Sequence, residues 1–233
     1  MHDILTIIPA RGGSKRLPRK NILSLAGKPL IAWTIEAAKN ARTAKTICVS
    51  TDDPEIARIA TEYGADVPFL RPAELASDTA TSVAVALHAL DWYKSQGLNF
   101  DTMLLLQPTS PLRSSKDIDD AFELFKKNNA NSVTSVCEVD HSPLWSNTLP
   151  ANLSMDGFIP ESVKNLRSQD LPTYYRLNGA LYLVRTDVLL RERSFIASTG
   201  SFAYIMPRDR SIDIDTKLDF IVAESILSGL TGC

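Results

Sequence analysis

The sequence predicts an α/β protein built on a mostly parallel, Rossmann-like sheet with helices on both faces. Short apolar runs at 4–8, 46–50 and 102–106 alternate with segments whose apolar residues recur at helical spacing. Each run ends in a loop of small and polar residues, which puts ligand chemistry at the carboxyl ends of the strands. With 233 residues and 44% hydrophobic content, the chain can bury one large core.

After the first strand, a helix is expected from Gly27, with Pro29 in its first turn and Leu30, Trp33, Ala37, Ala38 and Ala41 on its apolar face. Strand 46–50 leads into Asp53-Pro54, read as an N-cap and first helical residue, and Gly64 closes that helix. An extended piece at 66–70 passes through Arg71-Pro72 to a polar stretch, 77–82, and then a helix running to Gly97. Strand 102–106 is followed by Gln107-Pro108-Thr109-Ser110-Pro111-Leu112-Arg113 and a helix capped by Ser114 or Ser115. Strand 132–139 ends the regular alternation. Residues 141–174 hold Pro143, Pro150, Pro160 and Pro172 without clean periodicity, too long a stretch to be structureless inside a compact domain. Strand 180–185, a short helix from Asp187, strand 202–206 and a helix opened by a Thr216/Asp219 capping box complete the chain.

The loop after the first strand carries Arg11, Lys15, Arg16, Arg19 and Lys20 with no acid among them. Gly12 and Gly13 let the backbone turn so that successive N–H groups converge on one anion. Ser14 adds a hydroxyl, Arg11 a forked charge and Lys20 a compact one. A solvated basic loop is the competing account for a charge run alone, but Gly-Gly-Ser directly after a strand favours a triphosphate cradle. Neither the P-loop pattern nor the dinucleotide fingerprint is present.

A net charge of −2 argues against a general nucleic-acid binder and makes the basic character local, so a small anionic ligand is expected. Cys48, Cys137 and Cys233 form no disulfide framework or zinc motif, and the first two lie in apolar runs as buried thiols. A reducing cytoplasm is the compartment this thiol pattern implies, and a soluble protein is expected because no apolar run approaches membrane-spanning length.

Ile212-Asp213-Ile214-Asp215 leads into the last helix, and D-x-D spacing in extended backbone sends both carboxylates to one side. Together they could hold Mg2+, which keeps several waters and binds substrate phosphate. The competing account, in which Asp215 only caps the helix, is outweighed once a triphosphate loop exists elsewhere in the chain. Arg176-Leu177-Asn178-Gly179-Ala180-Leu181-Tyr182 reads either as a turn with a buried tyrosine or as a sugar pocket. In the pocket reading, Arg176 pairs with an acid, Asn178 binds hydroxyls and Tyr182 lines the wall.

The run Ile8-Pro9-Ala10-Arg11-Gly12-Gly13-Ser14-Lys15, with Pro18, Lys20 and Asn21, resembles the N-terminal signature of acylneuraminate (sialic acid) cytidylyltransferases. Leu105-Leu106-Gln107-Pro108-Thr109-Ser110-Pro111-Leu112-Arg113 extends the resemblance; octulosonate cytidylyltransferases carry an aspartate where this chain has Pro108. The resemblance implies a single nucleotidyltransferase domain over 1–233, glycosyltransferase-A-like, with 140–175 inserted as a dimerisation arm that exchanges between subunits. Leu144, Trp145, Leu149, Leu153, Phe158 and Ile159 would suit that contact, an intramolecular cover being the alternative. It further implies Arg11 and Lys20 on the CTP phosphates, Ser14 and Asn21 on the nucleotide, and Arg71 and Ser82 on the base. Gln107, Arg176, Asn178, Tyr182 and Phe195 would bind the sugar acid, and Asp213 and Asp215 the catalytic Mg2+.

The expected activity is conversion of CTP and a nine-carbon 2-keto sugar acid into the CMP-sugar and pyrophosphate, by a homodimer. A nucleotide-sugar-dependent glycosyltransferase with a D-x-D metal site, and a non-catalytic nucleotide-sugar binding protein, are the alternatives.

Overall fold

The computed structural model describes residues 3–231, so His2 and Cys233 lie outside the described residues. In chain order the elements are β1 (Ile4–Pro9), the short strands β2 (Ser24–Leu25) and β3 (Lys28–Pro29), α1 (Leu30–Asn40), β4 (Thr46–Ser50) and α2 (Pro54–Glu62). There follow α3 (Ser82–Ser95), β5 (Thr102–Leu106), α4 (Ser115–Lys127), β6 (Ser132–Glu138), β7 (Tyr175–Arg185), α5 (Thr186–Glu192), β8 (Ser201–Ile205) and α6 (Lys217–Thr231).

Six strands form the central sheet in the order β4-β1-β5-β7-β6-β8. β1 pairs in parallel with β4 and β5, and β6 with β8, while β7 is antiparallel to both neighbours. Period-two alternation divides the core. Ile4 and Ile8 of β1 and Leu104 and Leu106 of β5 meet α1, α2 and α4 on one face. Leu5, Ile7, Met103 and Leu105 meet α3 and α5 on the other. Strands buried on both faces are what near-continuous apolar runs imply.

Local chemistry accounts for the element ends. The Asp53 carboxylate accepts from Glu55 N at 2.8 Å and Ile56 N at 3.2 Å, with Pro54 first in the helix. Ser114 and Asp117 form a reciprocal capping box, as do Thr216 and Asp219. The extended 66–71 segment covers the outer edge of β4 through Val49 N to Asp66 O at 2.8 Å and Arg71 N to Thr51 O at 2.7 Å.

Several expectations need correction. α1 begins at Leu30 with Pro29 as its N-cap, because the preceding residues close a small hairpin in which Ala26 and Gly27 both have positive φ. β7 begins at Tyr175 rather than 180, so the Arg176–Tyr182 stretch is strand and not turn. Within it β7 runs from Leu177 to Tyr182 while β6 advances only from Val136 to Thr134, and the surplus residues bulge out around Gly179 (φ 75°). Tyr175, the last residue of the expected 140–175 arm, already belongs to β7; the rest of the arm connects β6 to β7, and its only helical structure among the described residues is two short 3-10 turns, Pro143–Trp145 and Ser168–Asp170.

Candidate active site

The carboxyl ends of β4, β1 and β5 lie side by side, and β7, running the other way, contributes its first residues to the same end of the sheet. A crevice of about 280 Å³ opens there, lined by Arg11, Ser14, Lys20, Asn21, Arg71, Ser82 and Gln107 among others. Residues expected on the nucleotide thus come together from three separate segments, and Gln107, expected on the sugar acid, joins them.

The cationic loop is fastened on several sides. Gly12 N donates to Asp52 Oδ1 at 3.0 Å, and a Cβ on Gly12 would sit 2.8 Å from Asp53 Oδ2, so only glycine fits. Asn21 donates its amide to Arg11 O at 2.9 Å. Every cation of the loop has a carboxylate partner drawn from elsewhere. Arg11 pairs with Asp78 at 2.8 Å, Lys15 also binds Asp78, Arg19 binds Glu55, and Arg16 and Lys20 meet Asp215 at 2.8 and 3.1 Å. The Lys15 ammonium, and then Arg11, hold the Asp78 carboxyl below the usual carboxylate range. Asp78 gave no separate signal in the sequence, because complementarity to a distant loop leaves no periodic or motif trace.

Lys20 is less open than a loop cation would be. Its side chain is 13% exposed, and Nζ donates to Ile214 O at 2.7 Å as well as to Asp215. Ile214 itself is fully buried against Leu25, Leu30 and Leu112, and its N–H donates to Thr109 O at 2.8 Å. The flanking carboxylates are left facing the loop. Asp213 is partly buried, and its Oδ1 has no hydrogen-bond partner among the described residues. Burial raises its carboxyl pKa, Thr109 opposes that by hydrogen bonding, and Asp215 raises it further. A buried, unsatisfied carboxylate oxygen beside a second carboxylate is a donor set suited to a hard divalent cation. Among the described residues no group of three or more metal-ligating side chains is assembled, so water and phosphate oxygens would complete the coordination.

Arg71 is buried, with Nε donating to Ser50 Oγ at 3.0 Å and Nη1 to Leu75 O at 3.3 Å, so its guanidinium is fixed at the crevice wall. Burial lowers its pKa, with Asp52 offsetting part of that. Ser82 opens α3 just after the Thr81 cap.

The residues expected on the sugar are distributed differently. Arg176 is exposed and makes no ion pair among the described residues; its two terminal nitrogens lie 3.5 Å from Leu177 O and Ser211 O. Asn178 is 1% exposed; it accepts from Ser135 Oγ at 2.6 Å and donates to Ser211 Oγ at 2.9 Å, which commits its amide to the fold beneath the bulge. Phe195 is buried in the core behind Tyr182, ring centroids 6.1 Å apart. Tyr182 is half-buried, and burial together with nearby Asp213 raises its phenol pKa. None of Arg176, Asn178, Tyr182 and Phe195 lines the crevice that gathers the nucleotide-side residues.

A cationic glycine loop at the end of β1, bridged by Lys20 to the turn that carries Asp213 and Asp215 before α6, on a mixed α/β sheet, is an arrangement suited to nucleotidyl transfer. The same fold occurs in the CTP complex of CMP:2-keto-3-deoxy-manno-octonic acid synthetase (TM-score 0.72, 17% identity, 98% of this chain and 99% of that chain). The cytidylyltransferase family model matches residues 5–224. The chain is 38% identical to the CMP-N,N'-diacetyllegionaminic acid synthase of Legionella pneumophila, covering 96% of each protein. It is also 38% identical to the pseudaminic acid cytidylyltransferase of Campylobacter jejuni, covering 94% of each. The chain belongs to the cytidylyltransferase family, a CTP-dependent class of nucleotidyltransferases.

The strain placed on Asp213 gives a test. A carboxyl whose folded-state pKa lies above its unfolded value contributes stability that is present at acid pH and lost as pH rises through the folded pKa. Without magnesium, Asp213→Asn should therefore melt a few degrees above the parent at about pH 8, and the gap should narrow as pH falls and the Asp213 carboxyl takes up its proton. Circular-dichroism melts in chelator check this, and an equal or lower melting temperature at the higher pH contradicts it.

Proposed function

We propose that the protein transfers the cytidylyl group of CTP to the anomeric hydroxyl of a nine-carbon 2-keto sugar acid and releases pyrophosphate. The observation that carries this is the Lys20 bridge, which joins a crevice-lining loop rich in cations to the turn that carries Asp213 and Asp215. Its kinship to synthases of CMP-legionaminic and pseudaminic acids supports the substrate class. Family membership sets the glycosyltransferase alternative aside.

Arg11 and Lys20 bind the phosphate chain, Ser14 and Asn21 orient the nucleotide, and Arg71 and Ser82 face the cytosine. The anomeric oxygen attacks the α-phosphorus in line. A new P–O bond forms as the bond to the bridging oxygen of pyrophosphate breaks, and the hydroxyl proton is lost; the anomeric C–O bond stays intact. Arg11 and Lys20 stabilise the charge that gathers on the departing pyrophosphate. Asp213 and Asp215 would hold magnesium, which when bound would withdraw charge from phosphate oxygens. Gln107 and Tyr182 border the sugar, and Arg176, lacking an acid partner, grips its carboxylate.

The 140–175 arm supports a homodimer: Leu149, Leu153 and Met155 are 52%, 70% and 59% exposed, apolar surface that a second copy of the chain would cover. A cytoplasmic location fits the buried free thiols Cys48 and Cys137. Among the described residues no helix is long and apolar enough to cross a membrane.

Pyrophosphate release from CTP with N-acetylneuraminate, legionaminate or pseudaminate tests the reading; CTP binding without release on any of them overturns it. With the accepted acid, Arg176→Lys should raise the Michaelis constant for that acid about 10- to 100-fold, the loss of one charge-assisted hydrogen bond. The constant for CTP should stay nearly unchanged. Selective weakening of sugar binding by Arg167→Ala, with Arg176→Lys silent, moves the assignment to the arm.

A further inference from the structure

Arg113 ends the Gln107 to Arg113 run and is 2% exposed. Its Nη1 donates to Ala180 O at 2.8 Å and to Gln107 O at 3.3 Å, while Nε and Nη2 have no hydrogen-bond partner among the described residues. Asp117, the nearest carboxylate in charge terms, is already engaged by Ser114, Tyr204 and Arg210. Burial pushes the Arg113 pKa down to about 10, with Asp117 opposing, so the side chain is cationic at neutral pH. A buried cation with idle donors destabilises a fold relative to an apolar side chain of similar volume, so stability alone does not account for it.

The two carbonyls it holds supply the reason. Gln107 directly follows β5 and lines the crevice; Ala180 lies within the β7 bulge. Between them lies Gly179, where a Cβ would stand 3.2 Å from Gln107 Oε1 and 3.5 Å from Asp213 Oδ2. Three segments therefore meet here with no room to spare: the β5 end, the β7 bulge and the Asp213 turn. The turn is tied to the first by Ile214 N to Thr109 O at 2.8 Å and to the second by Asn178 to Ser211 at 2.9 Å. The β5 end and the bulge are tied to each other by Arg113.

We propose that Arg113 is a positioning residue of the nucleotidyl-transfer site: by holding the Gln107 and Ala180 carbonyls from beneath, it fixes the Gln107 side chain and the Gly179 bulge against Asp213. This rests on the cytidylyltransferase reading and goes beyond it, since Arg113 touches no substrate. Misplacement of a reacting group by about 1 Å can lower turnover on the order of 100-fold, so such a clamp acts on kcat more than on CTP affinity.

The test is a double-mutant cycle in the full-length enzyme, after pyrophosphate release by the parent has established the activity. Arg113→Met, confirmed folded by its melt, should lower kcat roughly 10- to 100-fold. Its CTP dissociation constant should stay within about threefold, and Arg113→Lys should recover much of the rate. In a Gln107→Ala background Arg113→Met should cause little further loss, because the group it positions is gone. Fully additive losses, or a kcat within about twofold of the parent, overturn the proposal. Should Arg113→Met not fold, Arg113→Gln, which keeps a donor for one carbonyl, enters the same cycle. A crystal structure of the variant adds a readout independent of turnover: displaced Gln107 and Gly179 support the clamp even in a parent without activity, and an unmoved pair refutes it.

Discussion

The site depends on one ammonium group. Lys20 Nζ lies 2.7 Å from Ile214 O and 3.1 Å from Asp215 Oδ1, joining the loop after the first strand to the turn before the last helix. The cations between Arg11 and Lys20 repel one another, and the adjacent Asp213 and Asp215 do the same. Facing the two sets across a partly buried contact relieves both repulsions, and the attraction is stronger there than in open water. Asp78 and Glu55 compensate the rest of the loop. An incoming triphosphate would thus enter a site whose cations are already held in place by carboxylates, with its phosphates joining or displacing them.

Much of the fold was legible because it is written in local signals. The runs in β1, β4 and β5, the Asp53-Pro54 start of α2 and the Thr216/Asp219 box each depend on a few neighbouring residues and stand where the sequence places them; of the two candidate caps of α4, Ser114 and Ser115, the fold uses Ser114. The early start of β7 was hidden because Gly179 and the bulge around it look like a turn; only pairing with β6, some 40 residues away in sequence, makes the stretch a strand. The small hairpin before α1 was likewise missed, since Ala26 takes the left-handed conformation usually left to glycine or asparagine.

For the site the division is similar. The glycine loop announces itself by composition and spacing; the D-x-D pair, which on spacing alone reads as a helix cap, takes its metal reading from that loop, and Lys20 brings the two together. What sequence could not separate was contact from support. Asn178 and Phe195 are of types that suit a sugar pocket, yet the first spends its amide on Ser135 and Ser211 and the second packs in the core. Arg113 shows the converse, a charged side chain at the end of a proline-rich turn that is almost wholly enclosed. Burial is a property of the assembled layers, and no local pattern reports it for a single polar residue.

The most direct test of the proposed role of the bridge is the turnover of Lys20→Met, which keeps the packing of the apolar stem while removing the charge. With the variant shown to be folded and saturated with CTP, pyrophosphate release should fall roughly 100- to 1000-fold, the usual consequence of losing one preorganised cation at a phosphoryl-transfer site. A folded Lys20→Met enzyme that turns over within about threefold of the parent would contradict it.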